Sequence, residues 1–183
     1  MMRRILSKAA LRYGVSEHGA AAVEMAIIAS MMVVPLLNVM DVGLYMFQRM
    51  QVENAAQMAA QATWATCDTA AEQPATTGCA NLTTAMTAAA QSTSLGTNVT
   101  VGTPTEGYYC LDNANVLVEV GSFPTKPSPF NCTSAPSSVT PSPAPGDYVQ
   151  VSVSYTYAPL FPAVSVASTF TTPIVASART RLN

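Results

Sequence analysis

AAAVEMAIIASMMVVPLLNVM, running from Ala20 to Met40, is the stretch that decides the fold. About 21 residues at 1.5 Å of helical rise reach roughly 30 Å, the thickness of a bilayer's hydrocarbon core. Its one charge is Glu24, near the N-terminal end. Four of the eight basic residues, Arg3, Arg4, Lys8 and Arg12, precede it, and only Arg49 follows closely. Such an excess of cations marks the cytoplasmic side of a span, so everything after Asp41 is expected outside. A cleavable secretory signal shares the basic-then-apolar order, but its apolar core is only about 7 to 15 residues and ends at a small-residue cleavage site. Here the run is longer, and helical patterning continues through LYMFQRMQVENAAQMAAQATWA. Pro35 removes one backbone hydrogen bond and predicts a kink inside the span.

Outward from this segment, 183 residues leave room for a membrane anchor and one small domain. Charged residues make up only 10% of the chain, and positions 50 to 125 carry no Lys or Arg. A net charge of -2 provides no broad basic surface, which excludes a nucleic-acid partner. His18 is the only histidine, which excludes a His-rich zinc site or a metalloprotease helix. Ser16, Glu17 and His18 have the letters of a hydrolase triad, but they are consecutive, whereas a working triad is assembled from separate elements. With no G-x-S-x-G and no phosphate loop either, the reading is non-enzymatic, with no metal and no cofactor.

Cys67, Cys79, Cys110 and Cys132 all follow the apolar run, and none forms a C-x-x-C pair. An even number in an exported region reads as disulfides formed in an oxidising compartment. Three pairings are open; locality favours Cys67 with Cys79 and Cys110 with Cys132, and buried free thiols are the plain alternative.

Past the span, Leu44, Phe47, Ala55, Met58, Ala62 and Ala65 recur at helical spacing, with Arg49, Glu53, Gln57 and Gln61 on a stripe of their own. This predicts a helix continuous with the span, about 70 Å long from Ala20 to Ala65 if unbroken. Ala55 and Ala59 form a small-xxx-small pair, suited to subunit contact or to covering the chain's own sheet. Thr66 to Gly78 reads as a loop, followed by a short helix capped by Asn81 and ending at Ser92. Val149, Val151, Val153, Tyr155 and Tyr157 alternate with polar residues, the mark of a half-buried strand. Val116 to Val120 repeats the pattern, and 98–101 and 174–180 do so more weakly. Phe123 to Gly146, with seven prolines, reads as a long loop. The expected fold is α+β: a long N-terminal transmembrane helix continuing into a periplasmic helix, packed on a small antiparallel sheet of three or four strands. The divisions are a basic cytoplasmic leader at 1–19, the transmembrane helix at 20–42, an exported helical region at 43–95 and a β-rich region at 96–183.

An ionised carboxylate inside a span is expensive. Glu24 either snorkels to the interface or meets a partner, and its setting, EHGAAAVEMAII, favours the partner. This stretch resembles the processing region of type IV pilin-like proteins, specifically the TadE-like family of the tight-adherence pilus system. The resemblance extends to the small-residue helix NAAQMAAQATWA and to the ending VQVSVSYTYAPLFP followed by IVASARTRL. Met25 stands where many such precursors carry an aromatic residue. The resemblance implies that a prepilin peptidase cuts between Gly19 and Ala20 and that Glu24 serves recognition and assembly. The new ammonium on Ala20 and a carboxylate on an adjacent subunit would offset each other's desolvation. Cutting leaves four Lys and Arg against nine Asp and Glu, a charge of -5. The implied partners are the lipid bilayer, other pilin-like subunits, the pilus assembly machinery and the prepilin peptidase, and the implied location is the bacterial inner membrane. A membrane-anchored extracytoplasmic binding protein or thiol enzyme, unrelated to pili, is the alternative.

Overall fold

The computed structural model describes residues 17–67, 69, 72–132 and 144–182, with side chains from Gly19 onward. The basic leader with Arg3, Arg4, Lys8 and Arg12, the residues Ser16 and Asp68, and positions 133–143 of the proline-rich loop lie outside the described residues.

The elements in chain order are α1 (Glu17–Thr66), α2 (Ala75–Gly78), α3 (Leu82–Gln91), β1 (Val99–Val101), β2 (Thr105–Leu111), β3 (Leu117–Ser122), β4 (Gly146–Tyr155) and β5 (Ile174–Arg181). A 3-10 turn at Gly96–Asn98 precedes β1, and a second at Val166–Thr169 precedes β5. They fall into two compact units, one comprising Met1–Leu44 and Pro159–Thr169, the other Tyr45–Ala158 and Phe170–Asn183.

In the first unit, α1 carries the apolar span, including Pro35. It is the one helix among the described residues long and apolar enough to cross a membrane, and none of its apolar window is buried. A surface of Val23, Ile27, Ile28, Met31, Met32 and Leu36 left this open suits a lipid solvent and is costly in water.

The second unit is built on a five-stranded antiparallel sheet. β4 is its central strand. β5 pairs with it from Tyr148↔Arg181 to Tyr155↔Ile174. Its other edge is shared by β1, registered Val99↔Tyr155, and β2, registered Thr105↔Gln150, and β3 continues outward from β2. Gly102 makes this sharing possible: its N–H donates to Ser152 O at 2.8 Å, and a side chain there would collide with Ser152 Oγ. The four expected strands are all present; the fifth is β2, whose sequence TEGYYCL hides its period because Glu106 through Cys110 are buried without alternation.

The core joins Val149, Val151 and Val153 of β4 with Leu82, Met86 and Ala90 of α3 and a stripe on α1. That stripe is Val52, Ala55, Ala56, Ala59, Ala60 and Thr63, rather than the expected set through Phe47, Met58 and Ala65. Small side chains let a helix approach its neighbours closely, so alanine takes the inner face and the bulky Phe47, Met58 and Trp64 stay outside. Ala55 and Ala59 are thus occupied within their own chain. Arg49, Glu53, Gln57 and Gln61 are exposed as expected. α3 begins after Asn81, but its side chain makes no capping bond.

Candidate processing and assembly site

Gly19, Ala20 and Glu24 lie along the first two turns of α1. Ala20 and Glu24 are four residues apart, so they share one face of the helix. All three are exposed, and among the described residues Glu24 has neither an ion pair nor a hydrogen bond. Around it Val23 and Met25 are 60% and 68% exposed. Among the described residues, then, Glu24 is a carboxylate without a partner on an exposed apolar helix face.

At the other end of the span stands an arrangement that sequence reasoning missed. Asp41 is completely buried, and its carboxylate accepts the backbone N–H of Leu160 at 3.0 Å and of Phe161 at 3.2 Å. One turn earlier, Asn38 acts as a peptide mimic: its Oδ1 accepts the N–H of Val166 at 2.7 Å and its Nδ2 donates to Val164 O at 3.0 Å. The same Nδ2 donates to Val34 O at 2.9 Å. Two polar residues three positions apart just where the apolar run ends were the available signal.

The cysteines form two disulfides, Cys67–Cys79 and Cys110–Cys132, and none is free. The first ties the residue after α1 to the end of α2. The second fastens β2 to the proline-rich loop, where Cys110, Cys132 and Val120 form a small core of their own. With all four sulfurs paired, there is no thiol nucleophile.

Glu106 is buried on β2 and accepts three hydrogen bonds, from Ala75 N at 3.2 Å, Thr76 N at 2.9 Å and Thr76 Oγ1 at 2.7 Å. On the paired strand β4, Asp147 stands opposite Tyr108, and its carboxyl is pushed up from 3.8 to about 6. Burial is the main cause, followed by the charge of Glu106 and a hydrogen bond shared with it, while Lys126 pulls the other way. Burial also raises the phenol of Tyr108, helped by Asp147 and Glu106. A cavity of about 430 Å³ opens beside these groups, lined by Tyr108, Phe123, Lys126, Phe130, Asp147 and Arg181. Among the described residues, no group of His, Cys, Asp and Glu is arranged to hold a metal ion.

Residues 19–61 match the family described as TadE-like protein. The likeness is confined to this segment. The TadE-like segment contains Gly19, Ala20, Glu24, Asn38, Asp41 and the buried alanine stripe, and it ends before Cys67 and the sheet. No curated protein and no solved structure matches the chain. The match covers the apolar part of α1, the helix whose length and composition suit a single membrane span.

Proposed function

We propose that this chain is a non-catalytic pseudopilin or minor pilin of a tight-adherence pilus or secretion fibre. The observation that supports this reading is the TadE-like match beginning at Gly19, a stretch that includes Ala20 and Glu24 near the start of an exposed apolar helix. In this reading residues 1–19 are a cytoplasmic leader, a prepilin peptidase cuts after Gly19, and α1 holds the chain in the bacterial inner membrane with the remainder in the periplasm. The two disulfides support an oxidising location for that remainder.

Glu24 then acts through charge pairing. A carboxylate alone in lipid is unfavourable, and the ammonium of Ala20 on a neighbouring subunit relieves it only when the two chains are in register. The outward Phe47, Met50, Met58 and Trp64 supply apolar area for the same packing above the membrane. Replacing Glu24 with alanine is expected to leave membrane insertion intact and to abolish pilus output. Unchanged piliation in that variant would refute the role of Glu24. N-terminal sequencing of the mature chain tests processing separately, with Ala20 expected as the first residue.

A further inference from the structure

We propose that residues 159–169 form a second membrane contact: an apolar foot that Asn38 and Asp41 latch onto α1 at the depth where the span leaves the lipid. The inference rests on α1 crossing a bilayer. A span starting at Ala20 uses about 20 residues to cross the hydrocarbon and ends near Met40. Asn38 and Asp41 stand at that boundary, and a chain hydrogen-bonded to both is held at the same level.

The surface of the foot is suited to lipid. Leu160, Val164 and Val166 are 60%, 46% and 55% exposed, and on α1 Val39 and Met40 are equally open. No charged residue occurs anywhere from Tyr148 to Ala178. Lipid that covers the span therefore meets an uninterrupted apolar surface at the foot.

The backbone supplies an independent argument. Irregular chain tolerates a low-dielectric medium only when its polar groups are satisfied internally, a demand that water does not impose. Pro159 and Pro162 have no N–H to satisfy. Leu160, Phe161 and Val166 donate to the two latch side chains. Val164 and Ser165 donate to Phe161 O, Ala167 to Ser165 Oγ, and Ser168 to Ser165 O. The hydroxyls of Ser168 and Thr169 turn back onto the carbonyls of Ser165 and Val166. Most of the segment's backbone N–H groups are thus met within the first unit, Ala163 not among them, while the side chains of Leu160, Val164 and Val166 face outward.

Depth-resolved fluorescence tests this. The full chain carrying Trp64→Phe, which removes its only tryptophan, receives Leu160→Trp, Val164→Trp or, as a control on the span, Ile27→Trp. Each variant is reconstituted in phosphatidylethanolamine–phosphatidylglycerol vesicles whose acyl chains are brominated either near the headgroup or near the methyl end. Leu160→Trp and Val164→Trp are expected to lose emission, more with shallow bromine than with deep, and adding Asn38→Ala with Asp41→Ala is expected to reduce that loss. Quenching at Ile27→Trp with none at either foot position would overturn the foot and leave the span standing. Quenching at none of the three would remove the span itself. Blue-shifted but unquenched foot emission that depends on the protein-to-lipid ratio would show a second copy of the chain covering the foot, which also overturns the proposal.

Discussion

Asp41 accepts the backbone N–H of Leu160 at 3.0 Å across a sequence separation of 119. The same carboxylate holds Phe161, so both donors depend on one buried side chain. Truncating it leaves two N–H groups without their acceptor, at a cost of about 1–3 kcal/mol each where they stay out of water. Asp41→Ala in the detergent-solubilised full chain is therefore expected to open the 159–169 segment, seen as faster chymotryptic cleavage after Leu160. Cleavage at the parental rate would show that the latch contributes little.

The sequence announced the elements that obey a simple period and concealed those that do not. A 21-residue apolar run and the strict alternation of β4 are visible because lipid on all sides, or a core on one side, leaves a regular trace. β2 left none, since its two faces are both covered and a glycine interrupts it. The inner stripe of α1 departs from the apolar spacing through Phe47, Met58 and Ala65 because helix packing here selects for small size: Ala55 and Ala59 are inside while Trp64 is 61% exposed. Gly19, Ala20 and Glu24 were conspicuous as a spacing of small residues and one charge at the start of the apolar run. Asn38 and Asp41 were not, because their partners lie far along the chain, and no local pattern reports a contact made at such separation.

Met86 offers a direct measure of the core. It is completely buried on α3, flanked one turn either way by Leu82 and Ala90. Met86→Ala is expected to cost roughly 2–5 kcal/mol, the lost transfer energy plus the cavity. Met86→Leu, which conserves volume, should cost less than about 1.5 kcal/mol. Urea unfolding followed by the near-ultraviolet signal of the tyrosines would measure both, since that signal excludes helix persisting in the span.

The disulfide between Cys67 and Cys79 closes a loop of sequence separation 12 and fixes the chain as it leaves α1. Joining the ends of a loop this short restricts the unfolded chain and stabilises the fold by about 2–4 kcal/mol. Replacing both cysteines with alanine is expected to lower the urea midpoint by a corresponding amount while leaving membrane insertion unchanged, because the bridge lies outside the apolar span of α1. An unaltered midpoint would mean that this bridge does not constrain the domain.

The carboxyl of Asp147 gives the sheet-containing unit an unusual pH dependence. Its folded value of about 6 lies above its ordinary 3.8, so between these two the native state keeps a proton that the unfolded chain has lost. Folding takes up a proton in that window, and this contribution to stability grows as pH falls from 7 toward 4 and levels off below it. Acid usually weakens folds whose carboxylates are paired; here the carboxyl is raised because burial and the neighbouring Glu106 both disfavour a second negative charge. The Oδ1 atom of Asp147 is buried with no hydrogen-bond partner among the described residues, so ionisation gains no compensating donor there. Asp147→Asn is therefore expected to raise stability at pH 7 and to flatten the pH 4–7 profile in urea unfolding. A variant profile that parallels the parent's would assign the pH dependence to another group.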